Sequence, residues 1–330
     1  MPSRLRTAAC HMAASAMVLA ATATALPALA ADGYPSQPIT IVVPSAPGNV
    51  NDAVARLIGQ ELTAAWGQPV IVDNKPGASG GIGTRHVARA EKDGHTALLT
   101  FTVHVQNPHL YADQGYDALK DFAPVSEVAL SSVILAVNPS FPGRTPQAVV
   151  NEIRRHPGKY PYGSYGAGTT GHILGELLKR EAGLQMEHVA YKGGPPLATD
   201  LIAGHVQVGL IAVGSAMAHL KAGSIVPIAI TGTERSALLP NVPTFAEAGF
   251  AGFEPDAWMG LLFPVGVPQD RVDALAKEVA RIVREPQMQQ RLAELNLVPV
   301  GNTPAQFAKV LQDDYDKWGR IIRDVGIQAP

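Results

Sequence analysis

Short β-branched, apolar runs alternate along this chain with longer segments whose apolar residues recur at helical spacing. Ile39-Thr40-Ile41-Val42-Val43 reads as a buried parallel strand that stops at Pro44. From Ala53 the residues Val54, Leu57, Ile58, Leu62 and Ala65 repeat with a helical period and end at Trp66-Gly67. The pattern then recurs: Val70 to Val72 as strand, Gly83 to Ala90 as helix, Ala97 to Leu99 as strand. Such alternation predicts an α/β fold, with a parallel sheet covered on both faces.

A second series begins at Val125 to Asn138, with the apolar run Val133 to Val137. Helices are expected at Pro146 to Arg155, His172 to Ala182 and Pro196 to Ala203, and strands near Met186 to Tyr191, Val206 to Ile211 and Val226 to Thr231. Phe253 to Phe263 then leads into helices at Asp270 to Arg284, Pro286 to Leu295 and Pro304 to Val325. No Ser/Gly linker or low-complexity stretch separates the halves, so the connections are expected to be short and ordered.

The first thirty residues read as an export signal: Arg4 and Arg6, an alanine-rich apolar run from Met12 to Leu26, then Ala28-Leu29-Ala30. Ser15, Thr22, Thr24 and Pro27 keep that run short of the ~20 apolar residues of a membrane span. The mature protein is expected to start near Ala31, outside the cytoplasm. Cys10 is the single cysteine and precedes the apolar run, so the mature chain would hold no thiol. Disulfides, a cysteine nucleophile and thiolate metal sites are thereby excluded from the reading. The whole chain carries 26 basic and 28 acidic residues, and loss of Arg4 and Arg6 leaves a charge near −4. With no basic cluster, nothing here suits nucleic acid or an anionic membrane surface.

Three glycine-rich segments stand at strand-to-helix junctions. Gly166-Ala167-Gly168-Thr169-Thr170-Gly171 matches the dinucleotide fingerprint and has Glu187 downstream. The preceding segment Gly158 to Tyr165 is a poor core strand broken by Pro161, and Glu187 begins a strand instead of ending one, so a nucleotide is not expected. Gly77-Ala78-Ser79-Gly80-Gly81 matches a hydrolase nucleophile elbow, but Asp73 to Pro76 separate it from its strand and no histidine follows His219. A structural turn is the preferred reading. Pro44 to Asp52 is the third segment, with Asn51 or Asp52 as the natural N-cap of the helix after it. The free N–H groups of a first helical turn attract anions. His86, His95, His104, His109, His205 and His219 show no metal-ligand spacing, so no metal and no cofactor is expected. Lys192, in Tyr191-Lys192-Gly193-Gly194, faces either an acidic ligand or solvent.

An ordered series of motifs spans the chain: Tyr34 to Ile39, Val42-Val43-Pro44, Gly48 to Arg56, Gly67 to Ala78, Asp93 to Thr96, Asp121 to Val125, His188 to Gly193, Leu239 to Thr244 and Trp258-Met259-Gly260. In these it resembles the extracytoplasmic solute receptors of tripartite tricarboxylate transporters, often called Bug proteins in Bordetella. The resemblance implies a type II-like periplasmic-binding-protein fold, two doubly wound α/β domains joined by two crossovers with a ligand cleft between them. Domain 1 would comprise 31–130 and 255–330, and domain 2 residues 131–254. It further implies a monomeric, non-catalytic receptor that passes a small organic carboxylate to membrane transporter subunits. The carboxylate would lie between a first loop (Ser45, Ala46, Pro47, Gly48, Asn49, Val50, Asn51) and a second (Ser164, Gly166, Ala167, Gly168, Thr169, Thr170), partly through waters. Phe101 and Thr102 are candidate pocket walls. Asn49 replaces a glycine frequent in the family, and Ile211 to Ser215 offers a less polar wall, with Ser215 a candidate contact. Asp256, in the return crossover, either meets a ligand amine or is a hinge residue, and the hinge is preferred. The competing readings are an exported serine hydrolase using Ser79 and a ligand sensor coupled to signalling.

Overall fold

A computed structural model describes residues 33–111, 113–253 and 257–327. The chain divides into two units, Met1–Ser36 and Gln37–Pro330, and the elements below all belong to the second. In chain order they are β1 (Ile39–Val43), α1 (Val50–Trp66), β2 (Val70–Asn74), a 3-10 turn (Ala78–Gly80), α2 (Gly81–Ala88), β3 (Thr96–Phe101), α3 (Val103–Leu110), β4 (Phe122–Ser131) and β5 (Val133–Val137). There follow α4 (Pro146–Arg155), β6 (Tyr162–Ser164), α5 (Thr170–Ala182), β7 (His188–Ala190), α6 (Gly194–Ala203), β8 (Val208–Ala212), α7 (Val213–Lys221) and β9 (Val226–Ile230). The last are β10 (Ala257–Pro264), α8 (Gln269–Arg284), α9 (Pro286–Glu294), β11 (Val298–Pro299) and α10 (Pro304–Val325). No helix among the described residues is long and apolar enough to cross a membrane.

The strands form two sheets, ordered β11-β4-β10-β3-β1-β2 and β7-β6-β8-β5-β9. Neither is wholly parallel, which corrects the expectation from the alternating pattern. β1 pairs in parallel with β2 and β3, but β10 runs antiparallel between β3 and β4. In the second sheet β6 is parallel to β7 and β8, whereas β5 runs antiparallel between β8 and β9. The antiparallel strands are those that carry the chain from one sheet to the other. β4 passes to β5 through Ser132 alone, and β9 returns to β10 across a segment that includes 254–256.

Packing explains why particular elements hold. Trp258 of β10 is buried edge-on against Phe307 of α10, with ring centroids 5.3 Å apart. Gly260 makes the contact feasible, since a Cβ there would lie 2.2 Å from Phe307 Cζ. Trp258 Nε1 donates to Asp314 Oδ2 at 2.8 Å, so the indole is satisfied in the core. Burial raises the Asp314 carboxyl above its usual range, although that hydrogen bond opposes the shift. In the second sheet Tyr162 of β6 packs on α5 at Gly175, where a Cβ would come within 2.0 Å of its ring. That contact, with two flanking strands, makes a strand of the three residues following Pro161, a segment the sequence pattern leaves without one.

Candidate functional site

The turns after β1 and β6 share a geometry. In each, a glycine of positive φ precedes the N-cap: Gly48 (φ 83°) before Asn49, and Gly168 (φ 71°) before Thr169. Side-chain-bearing residues rarely adopt this conformation, and it turns the chain sharply into the helix. The two helix ends nevertheless differ in their chemistry. At α1 the N-cap is Asn49, whose Oδ1 accepts from Asp52 N at 3.0 Å, and not Asn51 or Asp52. Asp52 accepts from Gly48 N at 2.9 Å and pairs with Arg56 at 3.0 Å. Burial pushes the Asp52 carboxyl up, but the bonds from Arg56, Gly48 and Asn74 outweigh it and bring the pKa below the ordinary value. The α1 terminus thus carries its own carboxylate.

The α5 terminus carries none. No acidic residue lies in its first turn, and Thr169 does not cap it: the hydroxyl donates to Gly166 O at 2.7 Å. Gly171 N donates to Tyr165 OH at 3.0 Å. Two histidines steady the loop from behind. Gly168 N donates to His172 Nδ1 at 3.1 Å, and Ser164 Oγ lies 2.7 Å from His188 Nε2. The two imidazoles stack with centroids 3.9 Å apart and planes 12° from parallel. Burial lowers the pKa of both, aided at His188 by its neighbour His172, and brings His188 to about 4. Both rings are therefore neutral near pH 7, as the acceptor role of His172 Nδ1 requires. Neither histidine stands out in the sequence, because only the packing of α5 against β7 joins them.

In the first loop Ser45 O accepts from Asn74 Nδ2 at 3.2 Å, while its buried Oγ meets no hydrogen-bond partner among the described residues. Ala46, Pro47 and Gly48 are exposed, Asn49 and Val50 are half-buried, and Asn51 is buried. Ala167 and Thr169 are half-buried on the second loop. Thr170 is buried and accepts from Gln106 Nε2 of α3 at 3.0 Å, tying the loop to the first-sheet side of the molecule. Phe101 is half-buried at the end of β3. Thr102 does not present itself as a wall: it is 1% exposed, and its Oγ accepts from Trp258 N at 2.8 Å. Lys192 is exposed, one residue beyond Tyr191, whose N–H donates to Ser164 O. Ser215 is turned to α6, where its Oγ would stand 2.1 Å from a Cβ on Gly194. Asp256 lies outside the described residues, as do 1–32. Among the described residues no group of three or more His, Cys, Asp or Glu side chains suits a metal ion. Ser79 bonds Tyr111 OH at 2.9 Å rather than a histidine, an arrangement with no base for a nucleophile.

Residues 54–327 match the family described as tripartite tricarboxylate transporter family receptor. The chain belongs to that family. It is 34% identical over 314 residues to a Pseudomonas protein from the tcbD-tcbE intergenic region, covering 95% of this chain and 94% of the other. The fold is that of periplasmic binding proteins. A Rhodopseudomonas palustris protein solved with adipate superposes with a TM-score of 0.83 at 32% identity, over 89% of this chain and 99% of that one. Periplasmic binding protein BugD gives 0.80 at 29% identity, with the same coverage. MatC of Rhodopseudomonas palustris, solved with bound malate, gives 0.79 at 29% over 88% and 100%. This is a receptor family and not an enzyme class, so Ser79 has no nucleophilic role to fill.

Proposed function

We propose that the chain is a periplasmic receptor that takes up a small organic carboxylate and hands it to membrane transporter subunits. Its carboxylate is held at the α5 terminus, by donors of the Ser164 to Thr170 loop other than the N–H groups of Gly166, Gly168 and Thr169, which are already engaged, and is met from the first loop by Ser45 Oγ. The contrast between the two helix ends carries this reading. A positive helix end with no acid in its first turn, whose side-chain partners Tyr165 and His172 are uncharged acceptors, attracts an anion, whereas the α1 end is filled by Asp52. The relatives solved with adipate and malate supply the chemical class. Residues 31–130 with 255–330 act as one domain and 131–254 as the other, closing over the ligand, after export removes the segment up to Ala30.

A thermal-shift screen over mono-, di- and tricarboxylates, aromatic acids and acidic amino acids tests the reading, because a ligand specific for the folded state raises Tm. A rise with at least one carboxylate is expected, and N-terminal sequencing of the exported protein should begin at Ala31. A response confined to cations or neutral sugars would refute it.

A further inference from the structure

The Ser79 segment, which catalysis leaves unused, lies against both loops. Four successive residues there have positive φ: Gly77 (120°), Ala78 (48°), Ser79 (50°) and Gly80 (90°). Ala78 and Ser79 bear side chains, so surrounding contacts must hold this conformation in place. Asn107, which is 1% exposed, supplies one by donating through Nδ2 to Ser79 O at 2.9 Å. A Cβ on Gly80 would meet Pro44 O, at the start of the first loop, at 3.5 Å. On the other side Tyr111 OH, the partner of Ser79 Oγ, stands 3.5 Å from the Cβ position of Gly168 in the second loop. The two hydroxyls therefore stand beside the second loop, on a segment whose Gly80 abuts the start of the first.

A pair of hydroxyls joined by one hydrogen bond uses one proton and leaves the other to donate elsewhere. Ser79 and Tyr111 are half-buried, and among the described residues their mutual bond is the one side-chain hydrogen bond of either hydroxyl. We propose that the Ser79–Tyr111 pair is the specificity element that reads a second carboxylate on the ligand, selecting dicarboxylates over monocarboxylates. The inference rests on the carboxylate reading above, with the first carboxylate on the α5 loop. A diacid takes the spare O–H as acceptor. A monoacid of equal length puts a methyl group there and leaves the donor unpaired, the asymmetry by which polar sites reject analogues lacking the matching group.

Calorimetric titration of adipate against hexanoate, and of succinate against butyrate, into wild type, Ser79→Ala and Tyr111→Phe tests the proposal. Wild type should prefer a diacid to its monoacid by about tenfold or more, and each variant should lose about tenfold in diacid affinity with the monoacid unchanged, the scale of a hydrogen bond to a charged group. Monoacid binding doubles as the check that each variant is folded. Equal losses on both acids, no loss on either, or a wild type that binds monoacids alone would overturn it. A wild type that binds no carboxylate in the wider screen would instead refute the function on which the proposal rests.

Discussion

Thr169 occupies an N-cap without capping, and the consequence can be measured at that one residue. Aspartate is a better N-cap than threonine, so Thr169→Asp should hold or raise stability by up to about 1 kcal/mol. The same carboxylate would stand where the ligand's is placed, and carboxylate affinity should fall by more than about tenfold through like-charge repulsion. Calorimetry and a denaturation curve on one variant separate the two effects. Unchanged affinity would move the anion away from α5. His104 gives a second residue-level test. It is 1% exposed, its Nε2 bonds Ala118 O at 2.8 Å, and burial lowers its pKa to about 4. The unfolded chain binds more protons between that value and about 6.5, so stability is full above pH 6.5 and declines as pH falls toward 4. At roughly 1.4 kcal/mol per unit, His104 alone accounts for about 3 kcal/mol of that decline. His188 acts in the same direction by less, being partly exposed. Urea midpoints between pH 4.5 and 7 should show this slope, and His104→Asn should flatten it.

At the scale of elements, the amphipathic helices and the buried strands were legible in the sequence. β1, α4 and α10 fall where periodicity and caps put them, because each buries one face or a continuous β-branched run. α3 was not, for a physical reason: Val103 to Asn107 and Leu110 are buried and Pro108 interrupts it, so no polar face marks its period. β6 was hidden by its length and by Pro161. The two loops were legible as glycine-rich junctions, and the family resemblance gave them a ligand, but the cap inside the first was misassigned to Asn51 or Asp52. Asn49 caps at the residue after Gly48, a choice that depends on where the glycine turns the backbone. The coupling of β6 to α5 predicts a remote effect. Gly175→Ala drives a methyl into Tyr162 and should cost about 1–3 kcal/mol as overpacking does. Because α5 carries the second loop, carboxylate affinity should drop as well, whereas Gly48→Ala, with open space around its Cβ position, should alter the first loop through backbone strain alone. Calorimetry on both variants checks the contrast.

For the whole molecule, the two passages between sheets touch where they leave each sheet. In the first sheet Ser131 faces Ala257, and in the second Val133 and Thr231 exchange hydrogen bonds of 2.9 Å, through Val133 N to Thr231 Oγ1 and Thr231 N to Val133 O. In the proposed closure, a bend at Ser132 would carry Thr231 with it through these bonds. The proposed closure is then expected to shift a single population between open and closed forms on ligand addition. Cysteines introduced at Gln60 and Ile202, both exposed, would allow two dyes to be attached to a mature chain otherwise free of thiols. A saturating diacid should move their distance distribution from one peak to another; an unmoved distribution would rule out closure. Mechanically, the one-residue link at Ser132, bonded alongside through Val133 to Thr231, is a short pin on which the proposed closure can turn. One well-placed dye pair would report the proposed closure, and the protein could then serve as an optical gauge of its own ligand.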